Sequence, residues 1–168
     1  MPCPSQKLHE ESPLSIVPYE DRYADALSSL IRRNFRQVNS RDYPCEEIER
    51  LCARHTPEDV RILMGEGSSL VALRDTVPVG CARLLPDRED AGTYGLYTVF
   101  VDPDFHGKGV GRLLLQRLEE KARALGGKKV VLASSLTARG FYERLGYRAV
   151  HPGEGPDSSG LIPMEKVL

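Results

Sequence analysis

The chain has no tryptophan and only four cysteines in 168 residues. Cys3, Cys45, Cys52 and Cys81 contain no Cys-x-x-Cys pair, which argues against a disulfide framework and for reduced, independently placed thiols. Cys45 and Cys52 fall on one face of a helix, but seven residues advance its axis by about 10.5 Å, too far to share one metal. His9, His55, His106 and His151 form no compact ligand motif, so no metal site is expected. An excess of either charge is missing too. Lysine and arginine number 23 against 24 acidic residues, a formal net charge of -1, and this lacks the basic footprint of a nucleic-acid binder. Long hydrophobic runs are absent, and the start, MPCPSQKLHEESP, resembles neither a signal segment nor a spanning helix. No membrane partner is expected, and a cytoplasmic location follows by default.

What is present is the composition of a globular domain: 40% hydrophobic and 28% charged residues. At this length, size scaling predicts burial of roughly 70% of the unfolded surface, enough for one core and one catalytic domain. After a short strand at Ser15 to Val17, Tyr23, Ala24, Leu27, Leu30, Ile31 and Phe35 keep the three-to-four spacing of an amphipathic helix. A second helix is predicted from Pro44 to Arg54, with His55 and Pro57 marking its end. Ser69 to Leu73 and Pro78 to Leu84 read as an antiparallel hairpin, and Tyr94 to Val101 as a central strand. Gly109 to Leu125 is the clearest helix, followed by a strand from Lys129 to Leu132 and a helix from Thr137 to Leu145. Tyr147 to Val150 and Leu161 to Val167 supply closing strands. The order β-α-α-β-β-β-α-β-α-β-β predicts a single mixed α/β domain over residues 14–168, without internal repeat, behind a flexible N-terminal arm at 1–13.

The most informative junction runs from Val99 to Gly111, where a strand meets a glycine-spaced turn and then a helix. Glycines there let backbone N–H groups converge on an anion at the positive end of the helix. The same glycines also suit a tight turn with no ligand, and spacing alone leaves both readings open. Gly107, Gly109 and Gly111 make GxGxG rather than the dinucleotide GxGxxG, and Lys108 is followed by Gly109 rather than by a hydroxyl. Both departures disfavour the common nucleotide folds.

A second segment decides between these readings. His106-Gly107-Lys108-Gly109-Val110-Gly111, together with Ala138-x-x-Phe141-Tyr142-x-x-x-Gly146-Tyr147, resembles the GCN5-related N-acetyltransferase superfamily. The resemblance is most specific from Tyr94 to Tyr147, with His106, Ser135 and Tyr147 standing where that family commonly has arginine or glutamine, asparagine, and phenylalanine. It implies a splayed, mostly antiparallel central sheet flanked by helices, with acetyl-CoA as acetyl donor. The backbone of Val99, Phe100 and Val101 would engage pantetheine amides. The N–H groups from Gly107 through Lys108, Gly109 and Val110 to Gly111 would hold the pyrophosphate, flanked by His106 and Ser135. Charge on Lys108 or Arg112 would add screened attraction.

Direct acetyl transfer to an amine follows from the resemblance, with Tyr142 as general acid at the departing sulfur and Phe141 in the core. Packing among Phe141 and Leu145 is the plain alternative for Tyr142. The base stays unassigned: Gly95 stands where the family often has a glutamate, leaving Tyr97, Asp102 or a water-linked group, and Tyr97 is also counted with Asp42 and Tyr43 among the substrate-binding residues. Between the first two helices, Asn39, Arg41, Asp42 and Tyr43 fall in an expected acceptor loop, where Asp42 would attract an ammonium and Tyr43 would pack its carbon skeleton. Capping and loop support are the structural alternative. The acceptor is expected to be a small-molecule amine or an amino acid, and a homodimer is compatible with the fold. The functional alternative is a non-catalytic acyl-CoA-binding or regulatory module. The glycine turn by itself would also suit a phosphate-binding enzyme of another class.

Overall fold

A computed structural model describes residues 12–168. The N-terminal arm expected at 1–13 therefore lies almost entirely outside the described residues, as do Cys3 and His9. The hydrophobic periodicities resolve into β1 (Leu14–Pro18), α1 (Ala24–Gln37), α2 (Cys45–Ala53), α3 (Pro57–Met64), β2 (Ser68–Arg74), β3 (Val77–Pro86) and β4 (Thr93–Val101). The rest of the chain forms α4 (Val110–Ala124), β5 (Lys129–Ser134), α5 (Arg139–Arg144), β6 (Arg148–Ala149) and β7 (Ile162–Val167).

The strands form one sheet in the order β1-β2-β3-β4-β5-β7-β6. Every neighbouring pair is antiparallel except β4 with β5. Each face is covered. One face packs Val79, Leu84, Leu96, Val130 and Met164 against Leu114, Leu115 and Leu118 of α4. The other packs Val71, Leu73 and Cys81 against Leu27, Ile31, Val60 and Met64 of the early helices. Burial on both faces explains why the β2 segment reads as the unbroken run Leu70-Val71-Ala72-Leu73 rather than as an alternation. No helix of the described residues is long and apolar enough to cross a membrane.

The parallel pair is short. Thr93, Tyr94 and Gly95 face Lys129, Val130 and Val131, after which β5 continues beside β7 as far as Ser134 and β4 continues beside β3 as far as Val101. Beyond Gly95, β4 keeps a partner on its β3 side alone. The departure coincides with a bulge. Arg83 lies opposite Tyr97 while Cys81 lies opposite Phe100, so β4 carries one extra residue, and Thr98 adopts a left-handed φ of 53°. A bulge of this kind bends its strand and increases the local twist.

One element departs from the sequence reading. Pro57 does follow the end of α2, but it also occupies the first turn of α3, which the expected order lacks. Thr56 and Asp59 form a reciprocal capping box: the Asp59 N–H donates to Thr56 Oγ1 at 3.3 Å, and the Thr56 N–H donates to Asp59 Oδ2 at 2.9 Å. Proline is compatible with a helix start because its missing N–H would have had no acceptor there.

The α4 face also buries a carboxylate. Glu119 accepts the Tyr147 hydroxyl at 2.8 Å and the Lys166 ammonium at 2.8 Å. Truncating Lys166 leaves the buried charge with only the more distant Arg123 guanidinium, at 4.0 Å, whereas removing the hydroxyl removes one hydrogen bond. Urea unfolding should therefore show a loss of about 1 kcal/mol for Tyr147→Phe and up to about 3 kcal/mol for Lys166→Met. Equal or reversed losses would show that Lys166 does not compensate the charge.

Candidate active site

The site is built where β4 ends. Asn34 of α1, buried, donates from Nδ2 to the Val101 carbonyl at 2.8 Å. Its neighbour Arg33 bridges Asp102 at 2.9 Å and Asp104 at 2.8 Å. Asp102 also accepts the Asp104 N–H at 2.9 Å, starting the tight turn Pro103–Phe105. Asp102, one of the candidates for the base, is thus held in an ion pair that orders the turn. The His106 Nε2 lies 2.9 Å from the Val101 carbonyl. A carbonyl only accepts, so this nitrogen carries the proton and the ring folds back on its own strand.

Gly107 and Gly109 follow with φ of 73° and 81°, a region that only glycine enters without strain. No atom lies within 4 Å of where a Cβ would stand on either residue. Gly109 caps α4 without a side-chain partner, and the first helical bond runs from the Leu113 N–H to the Gly109 carbonyl. The N–H groups of Val110, Gly111 and Arg112 therefore have no helical acceptor and gather at the positive end of a helix. Gly111 is bare for a different reason: a Cβ there would stand 2.9 Å from Cζ of Phe141. Its lack of a side chain lets α5 pack against the start of α4.

Across the gap, α5 presents Tyr142. The residue is 7% exposed, with its ring edge-on to Phe141 at 5.1 Å and to Tyr147 at 5.9 Å. The packing alternative for Tyr142 is therefore real, and it is also what controls the hydroxyl. Burial pushes the phenol up to about 12, keeping it protonated through the physiological range. Ser135 lies just before α5, where its Oγ accepts the Ala138 N–H at 3.2 Å.

The loop between α1 and α2 reaches this side of the gap. Asp42 accepts the Thr137 hydroxyl at 2.7 Å and the Thr137 N–H at 3.2 Å. Its two oxygens clasp the loop leading into α5, the loop support that is the structural alternative for Asp42. Tyr43 packs beside Gly160, whose Cβ would stand 3.4 Å from the Tyr43 ring. Burial, followed by the charges of Asp42, Glu47 and Asp157, raises its phenol above the usual tyrosine range. Tyr97 remains 48% exposed on β4.

Several contacts that matter here have no local signature in the sequence. Arg83, 8% exposed, donates from Nε to Thr98 Oγ1 at 3.0 Å and from Nη1 to the Leu63 carbonyl at 2.9 Å. It pins the bulge to the end of α3. Phe35, His55 and Phe100 form an edge-to-face cluster beside β4, with centroids 4.9 to 6.4 Å apart. These partners are distant in the chain, so no local pattern announces them. A broad depression of about 880 Å³ between β1, β2 and α4 contains none of these residues. Among the described residues, no group of three or more His, Cys, Asp or Glu side chains is placed to hold a metal.

Comparison with known proteins decides the family. The family model described as Acetyltransferase (GNAT) family matches residues 25–147, spanning α1 to Tyr147 and both motif segments. The chain belongs to the GNAT acetyltransferase family. An IAA acetyltransferase of Azospirillum brasilense is 32% identical over 98% of this chain and 99% of its own length. An amino-acid acetyltransferase of Azotobacter vinelandii is 36% identical over 60% of this chain and 22% of its own. Among solved structures, PaiA N-acetyltransferase of Thermoplasma acidophilum in complex with coenzyme A superposes with a TM-score of 0.76 at 20% identity, covering 93% of this chain and 99% of that one. A GCN5-related N-acetyltransferase of Rhodopseudomonas palustris gives 0.76 at 24%, over 94% and 97%. As a GNAT member the chain is an N-acetyltransferase that takes acetyl-CoA as its donor, and the regulatory-module alternative gives way to an enzyme.

The raised Tyr142 phenol has a measurable consequence. Its folded-state pKa lies above the unfolded value, so its contribution to stability is intact below pH 10 and is lost as pH rises through about 12. Between these limits Tyr142→Phe should flatten the alkaline loss of stability by up to about 3 kcal/mol, read by urea unfolding at stepped pH. Parallel curves for the two proteins would place the phenol in solvent.

Proposed function

We propose that residues 14–168 form a transferase domain that moves acetyl from acetyl-CoA directly to the primary amine of a small molecule or an amino acid. The observation that carries this reading is the parting of β4 from β5. A glycine turn that leads into a helix start, where the N–H groups of Val110, Gly111 and Arg112 have no helical acceptor, closes one end of the gap, and the buried, protonated Tyr142 lies on α5, which packs against that helix start through Phe141. Both features suit a long ligand with an anionic end and an apolar, amide-bearing arm. The open Cβ positions of Gly107 and Gly109 leave room for phosphate oxygens to approach the backbone.

Acetyl-CoA supplies an acetyl group activated as a thioester. The chain's own groups bind, orient and move protons. The N–H groups from Gly107 to Gly111 hold the pyrophosphate. The edge of β4 at Val99, Phe100 and Val101, unpaired with β5, offers backbone groups other than the Val101 carbonyl, which Asn34 and His106 occupy, to the pantetheine amides, in the manner of an added strand. The Tyr142 hydroxyl holds the proton that goes to the departing sulfur, which is the form of the phenol that burial preserves. Holding amine and thioester together provides much of the rate advantage. The amino-acid acetyltransferase among the similar proteins, and a glucosamine 6-phosphate N-acetyltransferase of Trypanosoma brucei brucei 47% identical over 30% of this chain and 35% of its own length, favour a small acceptor.

Calorimetric titration should give saturable acetyl-CoA binding. Gly109→Val, which forces a branched side chain into a left-handed position inside the cradle, should weaken binding tenfold or more. Tyr142→Phe should keep the binding constant within about twofold while lowering turnover, followed by thiol release, about 10²- to 10⁴-fold. Undiminished binding by folded Gly109→Val would remove the cradle from the mechanism. Undiminished turnover by Tyr142→Phe would remove the acid.

A further inference from the structure

Gly95 is the last residue of β4 paired with β5, and its missing side chain is filled by a neighbour. A Cβ at this position would stand 2.5 Å from Cε2 and 2.7 Å from Oη of Tyr97. Residues two apart share one face of a strand, so the Tyr97 ring lies back along β4, over Gly95, with its hydroxyl at the point where the two strands separate. The Arg83 guanidinium, 5.5 Å from the ring centroid, fixes the ring's other side. Arg83 is itself held by Thr98, the Leu63 carbonyl and Glu66 at 3.4 Å. Tyr97 nevertheless stays 48% exposed on a central strand. A half-exposed aromatic held on one side by a cation, with its hydroxyl at the mouth of a cleft, is suited to recognise a ligand.

We infer that Tyr97, seated in the slot left by Gly95, is the side chain that receives the acceptor amine where β4 and β5 part. The phenol oxygen accepts a hydrogen bond from the amine N–H and so fixes the direction from which the nitrogen approaches. Gly95 acts only through Tyr97: any side chain at 95 displaces the ring and with it the hydroxyl. This inference rests on the acetyl-transfer reading above.

The test uses the whole chain, acetyl-CoA, and a panel of free L-amino acids and n-butylamine, with thiol release as readout and the fastest acceptor carried forward. Tyr97→Phe should lower kcat/KM for that acceptor about tenfold, with the binding constant for acetyl-CoA unchanged. Gly95→Ala should do the same, and the double variant Gly95→Ala/Tyr97→Phe should fall no further than the worse single variant. If Gly95→Ala does not fold, Gly95→Ala/Tyr97→Ala should restore folding, because the smaller side chain vacates the slot. Acceptor kcat/KM within twofold of wild type for Tyr97→Phe, losses that multiply in the double variant, or no rescue of folding would each overturn the inference. A wild-type chain that binds no acetyl-CoA overturns the donor reading itself. One that binds it but acetylates nothing in the panel overturns the acceptor class and this inference together. One that acetylates normally while indifferent to Tyr97→Phe overturns this inference alone.

Discussion

The bulge at Thr98 is the constraint from which the rest of the site follows. A strand that stayed in register with β3 and β5 would have both edges bonded, and no backbone group would be left for a ligand. One extra residue in β4, taken up at a left-handed threonine, turns the strand away from β5 and leaves a cleft inside a continuous sheet. Left-handed backbone is costly for a β-branched residue and persists because its surroundings over-determine it. Arg83 donates to the Thr98 hydroxyl and the Cys81 thiol donates to its carbonyl at 3.4 Å. The buried Cys81 thiol, raised to about 12 by desolvation, is no nucleophile. It belongs to the scaffold of the bulge.

Around that cleft the early helices act as a brace rather than as a cover alone. Asn34 and Arg33, adjacent on α1, grip the carbonyl of Val101 and the turn that follows it. A few residues later Asp42 reaches over to Thr137. One helix and its loop thus touch both banks of the cleft, the end of β4 and the entry to α5, and fix their separation. The cradle at Gly107 and Gly109 is aimed by the same turn, since Asp102 both caps it and receives Arg33. The end of β4, the glycine turn and the entry to α5 are therefore held by one mechanical unit.

Much of this was legible in order and type. Amphipathic spacing placed α1, α2 and α4, and β-branched and aromatic residues placed β4, because local periodicity reflects which face must be buried. The two glycine-bearing segments pointed to the donor site because a backbone that must adopt positive φ or tolerate close approach has few residues to choose from. The reading failed where one residue serves two local roles. Pro57 ends one helix and opens the next, and the capping pair Thr56 and Asp59 that distinguishes the two was overlooked. It also treated the three cradle glycines alike, although Gly111 is small for Phe141 and not for a phosphate.

The sequence by itself determined every element but α3, the family and the donor, since these depend on backbone conformations written into neighbouring residues. The tertiary structure alone decided which polar side chains have protein partners. Asp42, Asp102 and His106 read in a string of letters as candidates for the acceptor, the base and the donor site. The fold commits the first to Thr137, the second to Arg33 and the third to the carbonyl of Val101, while leaving Tyr97 accessible over Gly95. Such assignments rest on partners up to 95 residues away. Those partners meet only when the sheet and its covering helices bury their apolar faces together.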